Sequence, residues 1–513
     1  MRHRAMNSSG REGGLSRGSS GAALVMLLVL GLVLSAALSL FNPALGIVGM
    51  LILTLVLAGL REPLWAAAVL LASLAIIPVE FSQNFVFGHS IENPLQIMVP
   101  LTLLVCLVGA LKDRSLSRPI VPDLLIVGLG IWGMLSLYNA GQLPFDSYWN
   151  KYGNKLLFPM GFYYVMRLLP LDNRGAIQLI RAAAALVVLQ SVLIFFEARG
   201  GGSPIYGELH QGRVTGPFGY FWTAAAFLAM WPPLLIFVTS KAKSRLGWAL
   251  GFIGVLLVAY AVTRTGQRGA TFLLLITVPL CLFAPSMRKV AGAVIVTGMI
   301  LYVPWSMSGS GSALLSRFDE TDESRAAYRT VAWEMIKSDK WNPLFGVGPY
   351  VSPREMKDID VSTEAEFFMH GRRTRDLADI AESGHALHNV YMTLLVEFGA
   401  VGAFMAALAG LFLIHSALKI YLTPGADKAL LFGALGALAA WGGIGYLHNI
   451  YSFAAPMCMF FFFYALIVGQ HRAFFPHGVD EEAMQDMRRG RRSPNWRGPY
   501  LKAMRASRLP RSS

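Results

Sequence analysis

Residues Gly384 to Gly402 read GHALHNVYMTLLVEFGAVG. From Val390 the stretch has the composition of a membrane helix, yet it opens on His385, His388 and Asn389 and carries Glu397 inside its apolar run. An imidazole takes up or gives a proton near neutral pH, which makes His388 a candidate general base toward a hydroxyl, with a helix-entry role as the alternative. His385 and His388 are spaced for one helical face, but two ligands without a third make a poor metal site, and no metal is expected. Glu397 lies two to three turns below His388. It reads as a buried hydrogen-bonded acid, a proton relay or a helix-packing partner, and packing is the preferred reading.

Arginines supply the second chemistry. Arg213 sits in HQGRVTGPFGYF, and Arg264 and Arg268 sit in VTRTGQRGATF, a tight turn between two apolar runs. Guanidinium groups bind phosphate through two parallel hydrogen bonds and stay charged. With a histidine beside them, they suit a lipid-linked phosphate donor attacked by a hydroxyl. The competing reading of an interfacial arginine is a side chain that snorkels to lipid headgroups.

These residues need elements to hold them. The chain has 513 residues, 55% of them hydrophobic and 14% charged. A soluble domain carries about a quarter charged residues, and the apolar runs here have the length that crosses a bilayer. Fourteen spans are expected, near 22–41, 45–60, 63–80, 97–111, 123–140, 156–170, 176–196, 217–239, 247–263, 270–284, 290–307, 389–414, 429–446 and 452–470. The fold class is therefore an all-α polytopic membrane protein with about 12–14 transmembrane helices. The first apolar run is too long for a signal-peptide core and has no clear cleavage site, so it reads as a retained helix. Cys106, Cys281 and Cys458 all fall in apolar runs and read as small buried hydrophobes rather than a disulfide framework.

Lysine and arginine fix the orientation. Loops counted alternately carry 28 basic residues on one side and 6 on the other, setting aside the one long loop. Both termini are thus expected in the cytoplasm. The three stretches bearing Arg213, Arg264 with Arg268, and His385 with His388 then meet on the exterior face. The net charge of +14 is mostly this topological signal. The basic C-terminal tail reads as a disordered segment under an anionic leaflet, with no nucleic-acid partner expected.

Five regions follow: a disordered basic cytoplasmic N-terminus at 1–21, an N-terminal transmembrane bundle at 22–307, an extracytoplasmic cap at 308–388, C-terminal transmembrane helices at 389–470 and a basic cytoplasmic tail at 471–513. The cap contains TDESRAAYRTVAWEMIKSD, a candidate amphipathic helix with Tyr328, Val331 and Met335 at helical spacing and Thr321 as its cap, followed by the Pro/Gly turn region WNPLFGVGPY.

Together, GRVTGPFGYFWTAAAFLAMWPPLL, TRTGQRGATFLLL, SRAAYRTVAWEMIKSDKWNPLFGVGPY and HALHNVYMTLLVEFGAVG resemble, in order over roughly 205–405, the O-antigen ligase and Wzy-type polymerase superfamily of bacterial envelope enzymes. The most specific elements are H-N-x-Y followed by E-x-G-x-x-G, with P-x-x-G-x-G upstream. The resemblance implies an inner-membrane enzyme that transfers a glycan from an undecaprenyl-diphosphate carrier to a glycan, lipid A-core or protein hydroxyl on the periplasmic side. It further implies inversion, and neither metal nor nucleotide cofactor. Carried over by motif, Arg213 and Arg268 would hold the diphosphate and His388 would act as base. Arg264, Arg325 and Arg329 are further candidates for phosphate or sugar contacts, and His385, Asn389 and Glu397 are secondary candidates. Gln267 departs from the family, where a small hydroxyl residue commonly precedes the arginine. Polymerase and ligase remain equal readings. A transporter or flippase is the alternative from another class; it would show paired polar residues near the midplane and repeated halves, and no clear internal repeat is seen.

Overall fold

The computed structural model describes residues 43–76, 95–112, 119–142, 147–169, 173–200, 202–203, 207–208, 213–218, 221–306, 322–352, 387 and 389–474. The first expected span, Thr321, His385, His388 and both termini lie outside these residues. Each expected span that falls within them is a helix. Seven helices among the described residues are long and apolar enough to cross a membrane, and Pro63–Leu74, Ile97–Leu111 and Arg268–Phe283 are shorter apolar helices. The fold is all-α; the sheet among the described residues is a two-residue antiparallel pairing of Gly202–Ser203 with Gly207–Glu208.

Large apolar side chains stand exposed along these helices, among them Leu124, Leu246, Leu275, Phe404 and Leu422. In water such a surface would be a liability; against lipid it is the matching one. Phe227, Trp231 and Phe237, by contrast, are fully buried, so Phe221–Ser240 runs through the centre. That span is two helices, Phe221–Ala229 and Pro232–Ser240, because Pro232 and Pro233 carry no N–H to continue the ladder. Around it, Pro232–Ser240 packs on Arg245–Arg264 and Lys428–Leu447, and Ala454–Phe474 packs on Phe158–Leu168. Cys106, Cys281 and Cys458 are buried in three separate elements.

The two ends of the bundle differ. At one end, Arg167 meets Asp123 at 3.1 Å with the Tyr163 hydroxyl donating to the same carboxylate at 2.6 Å. Lys241 pairs with Asp427 at 2.9 Å at that end too. Helices beginning there finish at the other end, where Arg213, the Thr265–Gln267 turn, Asn389 and the short connection after Leu447 gather. The described part of the long polar segment includes the expected amphipathic helix, Asp322–Lys337, with Val331 and Met335 fully buried. It packs against Val390–Leu422.

Candidate active site

The site is built on two glycine-rich segments, each fastened by a glutamate from a neighbouring helix. The first is Arg213–Phe218. Glu197, buried in the helix Asn173–Gly200, accepts from Thr215 N at 3.2 Å and Gly216 N at 3.3 Å. Those bonds hold the backbone just after Arg213. The Arg213 guanidinium lies over the Phe221 ring, 4.4 Å from its centroid. Its stem packs on Gly266: a methyl group there would sit 3.2 Å from Arg213 Cδ. Gly266 has φ +69°, so the turn asks for glycine by conformation as well as by space.

That contact brings two distant motifs together. Arg264 ends the helix Arg245–Arg264, and Arg268 begins Arg268–Leu280. Three arginines thus stand on one turn and the loop laid against it, all three half-buried. Gln267 occupies the N-cap position and makes no capping bond, whereas a small hydroxyl residue would cap. The departure from the family pattern is therefore local to the cap and leaves Arg268 at the head of the helix.

The histidine-bearing segment meets the same region. His388 falls between Leu387 and Asn389, which are both described. Asn389 is an N-cap: its Oδ1 accepts from Tyr391 N at 2.9 Å and Met392 N at 3.0 Å, and its Nδ2 donates to Tyr446 O at 3.1 Å. One residue further, Leu447 fills the space over Gly269, where a methyl would come within 2.0 Å of its Cδ1. The head of Val390–Leu422 is thus tied through Tyr446 and Leu447 to the residue beside Arg268. Arg325 and Arg329 stand on the helix Asp322–Lys337, and Arg329 is exposed.

Glu397 fastens the second glycine-rich segment. It is buried in Val390–Leu422, about 12 Å along the axis from Asn389 at 1.5 Å per residue. Its carboxylate accepts from Tyr350 N at 2.8 Å, Ser352 Oγ at 2.5 Å and the Tyr451 hydroxyl. Of the three expected readings, the hydrogen-bonded acid is the one these contacts describe, so the preference for plain helix packing gives way. The helix kinks at Gly399, φ +63°, which frees the carbonyls of Val396 and Glu397. Val347 N and Gly348 N donate to them at 2.9 and 3.1 Å, and the Ser136 hydroxyl lies between Phe345 O and Glu397 O. P-x-x-G-x-G and E-x-G-x-x-G are thus two halves of one joint. Tyr350 and Tyr451 stack at 4.8 Å, and burial, with the Glu397 charge added, holds both phenols well above the usual tyrosine range.

Glu197 and Tyr451 were missed by sequence reasoning. Glu197 has the signal of an acid inside a long apolar helix, which is costly unless satisfied. Comparison with known proteins bears on what this assembly does. Residues 234–407 match the O-antigen ligase family model. The match includes Arg264, Arg268, the Pro/Gly segment, His388 and Glu397, and it begins after Arg213. No curated protein matches the chain. The resemblance read from the motifs is borne out. This is a multi-pass membrane protein with an O-antigen ligase domain, of the membrane glycan transferase kind and concerned with polysaccharide or lipopolysaccharide synthesis.

Proposed function

We propose that the chain transfers a glycan from an undecaprenyl-diphosphate carrier to a hydroxyl acceptor at the periplasmic face of the bacterial inner membrane. The observation that carries this reading is the seating of Arg213 on the Arg264–Arg268 turn, at the end of the bundle where Asn389 starts the histidine helix. Arg213 and Arg268 hold the diphosphate, with Arg264 beside them. His388 takes the proton from the acceptor hydroxyl, the oxygen forms a bond to the anomeric carbon from the far side, and the carbon–oxygen bond to phosphate breaks. Its electron pair leaves on the diphosphate, whose growing charge the fixed guanidiniums stabilise. The configuration inverts and the carrier is released as undecaprenyl diphosphate. No metal is assigned, because the arginines supply the charge that a cation would.

The segment 308–388 serves as a cap over a groove that admits two long chains. A transfer assay in nanodiscs tests the reading, using lipid-diphosphate glycan extracted from a host lacking both polymerase and ligase. A ladder of longer lipid-linked glycan identifies a polymerase, and one transfer to lipid A-core or protein identifies a ligase. Movement of the lipid-linked glycan across vesicles without either product overturns the reading in favour of transport.

A further inference from the structure

The pentapeptide Leu387–Tyr391, LHNVY, recurs sixty residues on as Leu447–Tyr451, LHNIY. Both copies sit at the same end of the bundle. The first opens the helix Val390–Leu422; the second follows Lys428–Leu447, with His448 at the C-cap.

The fold treats the two asparagines differently. Asn389 uses its carboxamide on Tyr391 N, Met392 N and Tyr446 O. Asn449 is only 7% exposed, and neither its Oδ1 nor its Nδ2 has a hydrogen-bond partner among the described residues. It precedes the 3₁₀ turn Ile450–Ser452 without capping it. Buried amides in folded proteins are nearly always paired, so one left open at both ends points to a partner that arrives from outside.

The chemistry of that partner follows from the amide. Oδ1 needs a donor and Nδ2 needs an acceptor. A phosphate only accepts and would leave Oδ1 unmet, whereas neighbouring hydroxyls of a sugar ring both donate and accept. Position narrows the choice further. Leu447, two residues before Asn449, covers Gly269 beside Arg268. Tyr446 takes the bond from Asn389, the neighbour of His388. Tyr451, two residues after, donates to Glu397. The connection therefore runs between the arginine turn and the start of the histidine helix. In a transfer reaction the sugar under attack lies there, between the leaving diphosphate and the activated hydroxyl.

We infer that Asn449 binds hydroxyls of the donor sugar joined to the diphosphate, and so helps to decide which saccharide is transferred. This inference rests on the transfer reading above. It is tested by binding two probes in nanodiscs: sugar-free undecaprenyl diphosphate, and lipid-diphosphate glycan from a polymerase- and ligase-deficient host. Asn449→Ala is expected to weaken glycan-lipid binding about tenfold, the loss of one or two hydrogen bonds, and to leave the sugar-free probe unaffected. Its unliganded melting temperature is expected not to fall, since no internal partner is lost. Asn449→Leu keeps the volume, removes both donor and acceptor without adding charge beside the diphosphate, and gives the same split should the alanine variant not fold. Equal weakening of both probes, or of neither, overturns the inference. Wild type that binds both probes alike overturns it while leaving transfer standing; wild type that binds neither overturns both.

Discussion

Arg268 stands at the head of its helix and Arg213 lies folded over the turn before it, and each offers a planar fork that a lysine lacks. Arg268→Lys keeps the charge but replaces two parallel hydrogen bonds with a point charge. Diphosphate binding and transfer are expected to fall by about tenfold or more, read as a raised half-saturation for the lipid donor. Asn389→Ala acts otherwise. It removes an N-cap and should cost about 1 kcal/mol, seen as a lowered melting temperature in detergent. At this scale the arginines were legible, because charge inside an apolar chain has few uses, and the structure seats Arg213 on the turn between Arg264 and Arg268. The role of Asn449 was not legible, although its pentapeptide is plain in the sequence. Only burial separates an asparagine that caps from one left open, and burial depends on what the rest of the chain places around it.

Between Phe345 and Gly402, two motifs that look independent form a single joint. A methyl on Gly346 would meet the Glu397 carbonyl at 2.4 Å, and one on Gly399 would meet Leu344 O at 2.2 Å. Both residues have positive φ. Gly399→Ala is therefore expected to undock the Pro/Gly segment, measured as faster proteolysis within 308–388 and loss of transfer. Glu397→Gln removes one acceptor oxygen and turns an N–H₂ toward groups that themselves donate. It should destabilise by about 1–3 kcal/mol, followed by thermal melting. The sequence marked each glycine motif and the acid beneath them. It did not show that the freed carbonyls of the kink are answered by Val347 and Gly348, because that pairing joins segments about fifty residues apart. The break at Trp231 was more accessible, since two consecutive prolines follow it.

For the molecule as a whole, the helices alternate in direction so that ion pairs such as Asp123–Arg167 occupy one end and the arginine turn the other. Span positions were legible because apolar length and loop charge are summed over many residues and survive local error. Single cysteines placed in the Arg213 loop and at the C-terminus test the orientation. The first is expected to react with a membrane-impermeant thiol reagent in spheroplasts, and the second only after lysis. The central claim is that His388 activates the acceptor while the arginines hold the donor. It is tested most directly by comparing wild type with His388→Ala for transfer and for binding of lipid-diphosphate glycan, without added metal or nucleotide. The account predicts transfer lower by about 10² to 10⁴, with donor binding preserved. Transfer that survives in the variant, or donor binding lost together with it, would contradict it.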